Sequence, residues 1–154
     1  MIKLIVAHDP NFLIGKNGTL PWSIKEDLLH FKRETLNKVV LMGYTTFKSL
    51  NCKPLKNRKN IVMIEDINQT PIENVEYRND LLNVINEYKD KDELFIIGGA
   101  SIYKQCLPYV DELIISYVYK EYEGDTYLKD YSNDFRLYKT EPYQEFEVRR
   151  YKRK

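Results

Sequence analysis

Four short apolar runs, each followed by a helical pattern, constrain this chain more than anything else in its sequence. Residues 2–7, Ile-Lys-Leu-Ile-Val-Ala, are almost continuously apolar, as are 39–42, Val-Val-Leu-Met, and 94–97, Leu-Phe-Ile-Ile; residues 60–64, Asn-Ile-Val-Met-Ile, form another such run. Short runs without polar alternation suit strands buried on both faces of a sheet. Helical spacing follows each one. It covers 24–36, opens at Tyr44, places Leu81, Val84, Ile85 and Tyr88 on one side after a capping Asp80, and covers 101–107 until Pro108. Strand alternating with helix predicts a mainly parallel sheet with helices on both faces. From residue 113 the pattern changes. Residues 113–119 read as a long strand, 75–77 as a short one, and 135–140 and 146–151 as a terminal antiparallel pair around a tight loop. The expected architecture is a three-layer α/β domain spanning 1–154, with about eight strands and an antiparallel C-terminal edge.

Composition narrows the function classes. A net charge of +1 excludes binding to nucleic acid through a global positive field. The basic stretch 149–154 reads as a solvated edge strand and a frayed end. Cys52 and Cys106 are too few for a disulfide framework and lack metal-ligand spacing, so no metal site is expected. No stretch approaches a membrane span, and the first apolar run is too short for a signal peptide. A cytoplasmic monomer is expected.

The stretch 14–31, Ile-Gly-Lys-Asn-Gly-Thr-Leu-Pro-Trp-Ser-Ile-Lys-Glu-Asp-Leu-Leu-His-Phe, carries the first chemical signal. Ser23 with Glu26 reads as a capping box that starts a helix at Ile24. Ile24, Leu28 and Phe31 form its apolar stripe, and Asp27 falls on that stripe where a hydrophobic staple to Trp22 belongs. Two readings stand side by side. Asp27 favours the positive helix N-terminus, worth about 0.3–1 kcal/mol, or it is a desolvated carboxyl awaiting an amide-like or cationic partner. Gly15 and Gly18 suit a loop able to move over such a site.

Two further strands end in glycine and run straight into a helix, at Met42-Gly43-Tyr44-Thr45-Thr46 and at Ile97-Gly98-Gly99-Ala100-Ser101. Such corners present backbone N–H groups and let phosphate approach, although many are plain tight turns. Neither matches G-x-G-x-x-G.

Taken together, these motifs resemble the dihydrofolate reductase family over nearly the whole chain. The resemblance rests on Ile14-Gly15, Leu20-Pro21-Trp22 with an acid five residues on, Met42-Gly43, Pro54-Leu55 followed by Arg58-Lys59-Asn60, Gly98-Gly99, and Glu123-Gly124-Asp125-Thr126. It implies hydride transfer from NADPH to dihydrofolate, giving tetrahydrofolate for one-carbon and thymidylate metabolism, with antifolate-like molecules as further ligands. It also implies a cis peptide at Gly98-Gly99. Asp27, Trp22 and Leu20 would form the catalytic group, with a water held beside the acid and Ser116 supporting it. Ile5, Ala7, Leu28, Phe31, Leu50 and Ile97 would line the pterin slot, and Arg58 would clamp the glutamyl carboxylate. The cofactor would lie against Ala7, Ile14, Gly15, Gly18, Leu20, Gly43, Tyr44, Thr45, Thr46, Met63, Ile64, Glu65, Ile97, Gly98, Gly99, Ala100, Ser101, Ile102, Tyr103 and Thr126. Residues 124–126 would support the loop at 15–20.

The chain departs from the family pattern in three places. Tyr44 stands where the family usually has Arg. Glu65 follows the third strand where a hydroxyl often holds the 2′-phosphate, and an acid there suits a ribose hydroxyl, so NADH is a possible second cofactor. Lys48 or Arg78 could restore the positive charge. The turn at 51–53 is one residue longer than a common bacterial form. Two alternatives stay open: a reductase of another pyrimidine or pterin, and a folate- or nucleotide-binding module without turnover.

Overall fold

The apolar runs form strands that lie side by side. In the computed structural model, which describes residues 1–154, the chain begins β1 (Ile2–His8), β2 (Leu13–Gly15), α1 (Lys25–Thr35), β3 (Val39–Gly43), α2 (Tyr44–Ser49) and β4 (Lys59–Met63). It continues β5 (Val75–Arg78), α3 (Leu81–Tyr88), β6 (Leu94–Ile96), α4 (Ala100–Cys106) and β7 (Glu112–Val118). It closes with β8 (Thr126–Tyr127), β9 (Phe135–Pro142) and β10 (Phe146–Arg153). Eight strands form one sheet in the order β5-β4-β3-β6-β1-β7-β10-β9. Pairing is parallel from β5 through β7 and antiparallel at β7–β10 and β10–β9. The expected architecture is the observed one.

Both faces of the sheet are covered, which is why the strands carry apolar residues in succession. Leu4, Leu41, Ile61, Ile96 and Leu113 face a layer built on α3 and α4 through Val84, Ile85, Tyr103 and Cys106. Ile5, Val40, Met42, Val62, Phe95 and Ile114 face the opposite layer with Trp22, Ile24 and Phe47. Each fully buried Leu, Ile or Phe contributes about 1.5–3 kcal/mol of transfer free energy. Asp80 caps α3 as its spacing predicted, accepting from the Asn83 backbone N–H at 3.1 Å.

The capping box at the start of α1 does not form. Ser23 is exposed and Ile24 is the cap residue, extended at φ −124°, ψ 105° and without a side-chain cap bond. Burying Ile24 outweighs a polar cap worth about 1 kcal/mol. Asp27 is therefore the third helical residue, one position earlier than the staple. The expected stripe is also displaced: Leu28 is 58% exposed, whereas His30 and Thr35 are buried.

Two short strands escaped the sequence reading. β2 pairs with β8, Leu13 with Tyr127 and Gly15 with Thr126, so part of the loop expected at 124–126 is strand. At three and two residues they are too short to show alternation. Between β2 and α1, Lys16 and Thr19 exchange backbone hydrogen bonds of 2.8 and 2.9 Å across Asn17 (φ 49°) and Gly18 (φ 78°). That is the two-residue turn that an Asn-Gly pair favours.

Candidate active site

The connection after β1 leads through α1 toward β3, while the one after β6 leads through α4 to β7 on the other side of β1. The two helices pack on opposite faces of the sheet. Neighbouring strands whose connections diverge leave a crevice beyond their C-terminal ends. A cavity of about 520 Å³ lies there, within the range of small-molecule sites. Its walls come from β1, the 14–20 loop, α1, α2, the corner after β6, and Ser116 of β7.

Asp27 projects from the first turn of α1 into this cavity. Burial pushes its carboxyl above the ordinary range, with the Ser116 side chain opposing the shift by favouring the charged form. No ion pair compensates the acid. Of the two readings of Asp27, the desolvated carboxyl is the one the fold produces. Tyr103, on α4, closes the cavity floor by donating its hydroxyl to the Ile5 carbonyl at 2.9 Å. Trp22 is buried behind this end, 5.4 Å from the Tyr122 ring, and its Nε1 has no protein acceptor. A buried indole N–H of this kind calls for a bound water.

The two glycine corners meet directly: the Gly43 N–H donates to the Gly98 carbonyl at 2.9 Å. Gly98 has φ +118°, and a Cβ there would sit 3.2 Å from the Tyr103 hydroxyl, which Ile5 holds in place. The Gly98-Gly99 peptide is cis. At Gly43 an added Cβ would come within 2.9 Å of Ile102. At Gly98 backbone is thus exposed to the cavity where a side chain has no room, alongside Gly99, Thr45, Thr46 and Ala100, with Gly43 just behind. These donors and this cradle fit the pyrophosphate and nicotinamide of a dinucleotide.

Around the corner from the acid, Arg58 is buried beneath the end of α1. It donates to the Lys56 carbonyl (2.9 Å) and to Thr35 Oγ1 (3.0 Å), both neutral, and burial alone lowers its pKa. Asn60, fully buried, holds the 55–58 turn by pairing with both backbone groups of Leu55 and the Arg58 carbonyl. A positive charge without a counter-ion, fixed from behind, suits an incoming carboxylate.

The fold brings most of the sequence-derived site residues to one cavity. Ile5, Ala7, Ile14, Gly15, Gly18, Leu20, Asp27, Leu28, Phe31, Thr45, Thr46, Leu50, Ile97, Gly98, Gly99, Ala100, Tyr103, Ser116 and Thr126 line it. Trp22, Gly43, Tyr44, Arg58, Met63, Ile64, Glu65, Ser101 and Ile102 do not. Of the two cations offered near the cofactor corner, Arg78 is paired with Glu76 and Glu87 at 3.2 and 3.0 Å. Lys48 lies 5.5 Å over the Tyr44 ring. The support of the 15–20 loop by 124–126 is present: the Asp125 N–H donates to the Gly15 carbonyl (3.1 Å), and Asn17 N–H to Asp125 (3.0 Å). Sequence reasoning missed Val6, Thr19, His30, Ser49 and Leu55 as lining residues. The sequence carried no signal for His30: the stripe was drawn through Leu28, and only the fold turns Leu28 outward and buries His30.

A half-buried, desolvated acid facing two joined glycine corners across one crevice defines an α/β oxidoreductase that works with a dinucleotide. The family model described as dihydrofolate reductase matches residues 1–154. The dihydrofolate reductase of Ureaplasma parvum is 43% identical over 155 residues, covering 100% of this chain and 98% of that protein. That of Mycoplasma pneumoniae is 37% identical, covering 98% and 97%. The solved dihydrofolate reductase from Enterococcus faecalis, complexed with NADP(H) and RAB-propyl, superimposes with a TM-score of 0.88 at 28% identity, covering 99% of this chain and 96% of that one. The chain belongs to the dihydrofolate reductase family, the oxidoreductases that reduce dihydrofolate with NADPH.

Proposed function

We propose that this cleft converts 7,8-dihydrofolate to 5,6,7,8-tetrahydrofolate, with Asp27 binding the amino-pyrimidine edge of the pterin and delivering the proton. The observation that carries the assignment is the desolvated Asp27 carboxyl, unpaired with any cation and supported by Ser116 in a cavity of matching size. A carboxylate matches two parallel N–H donors. A carboxyl held above its usual range also keeps a larger protonated fraction near neutral pH, as a general acid requires. NADPH, when bound, supplies the hydride, held by Gly98, Gly99, Thr45 and Thr46. The proton would go to the ring nitrogen beside the reduced carbon, through a water that the unpartnered Trp22 Nε1 would hold. Phe31, Leu50 and Leu28 press the pterin flat and exclude solvent, and Leu20 closes the rim. Arg58 receives the α-carboxylate of the glutamyl tail, and antifolate-like ligands would use the same contacts. Lys48 is the cation we assign to the 2′-phosphate, with Tyr44 and Glu65 narrowing the preference for NADPH over NADH.

We place this activity in a cytoplasmic, monomeric, single-domain protein. No helix is long and apolar enough to cross a membrane. The test is the loss of reduced-nicotinamide absorbance on adding dihydrofolate, with NADPH and NADH in parallel. Turnover with NADPH is the expected result. Folate binding without turnover would favour a binding module, and no folate binding would favour a reductase of another substrate. A preference for NADPH greater than roughly a few hundred-fold, about 3 kcal/mol, would remove Tyr44 and Glu65 from cofactor choice.

A further inference from the structure

His30 lies one helical turn beyond Asp27 on the wall of the same cavity. It is 3% exposed, and its Nε2 has no hydrogen-bond partner. A buried imidazole nitrogen without a partner costs about 1–3 kcal/mol, so its retention beside the acid needs a reason. Several charged groups also act on it. On α1 it faces Asp27, Arg33 and Glu34; from β10 comes Arg150, which pairs with Glu34 and, at 2.7 Å, with Glu141 of β9. Arg33 is turned outward to the Tyr143 hydroxyl at 3.3 Å. Glu34 is the strongest charged influence on His30 and Asp27 the next, both favouring the imidazolium, with Arg150 and Arg33 opposing; Glu34 is itself paired with Arg150, whereas no cation pairs Asp27.

We propose that His30 is a positioning residue for Asp27, an imidazole that takes up charge beside the carboxyl and so helps hold it ionised. The inference rests on the reading of Asp27 as the acid of this site. Burial raises the carboxyl and lowers the imidazole, so the two titrations approach each other, and each charged form favours the other. Groups coupled in this way share protons as a pair. As pH falls, some of the proton density that would neutralise Asp27 goes to His30 instead. The pH range over which the acid is protonated is then a property of both residues.

Reciprocity makes this testable without substrate, because the effect of one charge on the other is the same in both directions. The chain has two histidines, and His8 serves as an internal control: its Nδ1 lies 2.7 Å from the Asp9 carbonyl and its Nε2 2.7 Å from the Tyr131 hydroxyl. The experiment follows both imidazoles by NMR through a pH titration of the wild-type protein and of Asp27→Asn. The expected result is a lower His30 midpoint in Asp27→Asn with His8 unmoved; equal His30 midpoints would overturn the proposal. A second arm measures the pH dependence of dihydrofolate turnover in His30→Asn and His30→Phe. Both lose the cation but differ in size and polarity, so the midpoint should rise in both. A packing role alone would leave it unchanged in any variant that folds, and that outcome overturns the proposal. Loss of His30–Asp27 coupling in a protein that still reduces dihydrofolate would defeat this inference alone. Coupling in a protein without turnover would defeat only the functional reading.

Discussion

The chain withdraws two His–Asp pairs from solvent, the second with its Asp only half-buried, and their treatment differs. His8 and Asp9 end β1. Asp9 is fully buried and accepts from the backbone N–H groups of Asn11 (2.9 Å), Leu13 (2.9 Å) and Tyr122 (3.0 Å). Both ring nitrogens of His8 are partnered. Asp27 has the Ser116 side chain, it and His30 act on each other only through charge, and His30 Nε2 has no partner. The first pair joins the β1 end, the β2 loop and the 119–125 segment into one frame. The second stands on a cavity wall with its hydrogen-bonding capacity unspent. Burial alone does not mark function: a saturated buried polar group holds a fold together, and an unsaturated one beside a cavity is available to a ligand.

Substitution of each acid should separate these roles. Asp27→Asn should lower turnover by roughly 10²-fold or more at neutral pH, measured as the steady-state rate with saturating dihydrofolate and NADPH. Asp9→Ala should do the reverse, destabilising the fold by about 2 kcal/mol or more through three orphaned N–H groups, read from urea unfolding. If Asp9→Ala left stability unchanged, or Asp27→Asn left turnover unchanged, the contrast would fail.

Arg58 extends the comparison to a cation. It too is buried and held by neutral oxygens alone. Arg58→Ala should raise the dihydrofolate KM by roughly 10–100-fold, the worth of a charge-assisted pair, while sparing the KM for NADPH. Equal rises in both would show that the residue supports the fold rather than the substrate.

A smaller effect concerns stability and pH. The folded state holds the Asp27 proton above the ordinary carboxyl value of 3.8. Stability from that group is present below the unfolded value and is lost as pH rises through the folded one. At pH 7 the ionised acid therefore destabilises the fold, so Asp27→Asn should raise Tm there. The gain should shrink as pH falls toward the ordinary carboxyl range. A Tm difference independent of pH would show that Asp27 is not desolvated.

Much of this was legible in the residues themselves. Apolar runs of four to six residues marked the strands, because a strand buried on both faces has no polar alternation to offer. Gly43, Gly98 and Gly99 marked the corners, and at Gly43 and Gly98 an added side chain has no room. Asp27 stood out as a charge on the apolar stripe of an amphipathic helix. The start of α1 was misread, since the Ser23 cap is a local preference and the burial of Ile24 is not. β2 and β8 carry no pattern of their own and exist because the loops that contain them meet.

By itself the sequence determined the alternation of strand and helix, the two glycine corners and an acid at the start of α1, all properties of neighbouring residues. Only the tertiary structure decided which buried polar groups are satisfied. Asp9 meets Tyr122, His8 meets Tyr131, and His30 meets Arg150 and Glu141 across separations no local pattern encodes. Whether a buried charge holds the structure or serves the reaction depends on those distant partners, because the cost of burial is set by the groups that surround it.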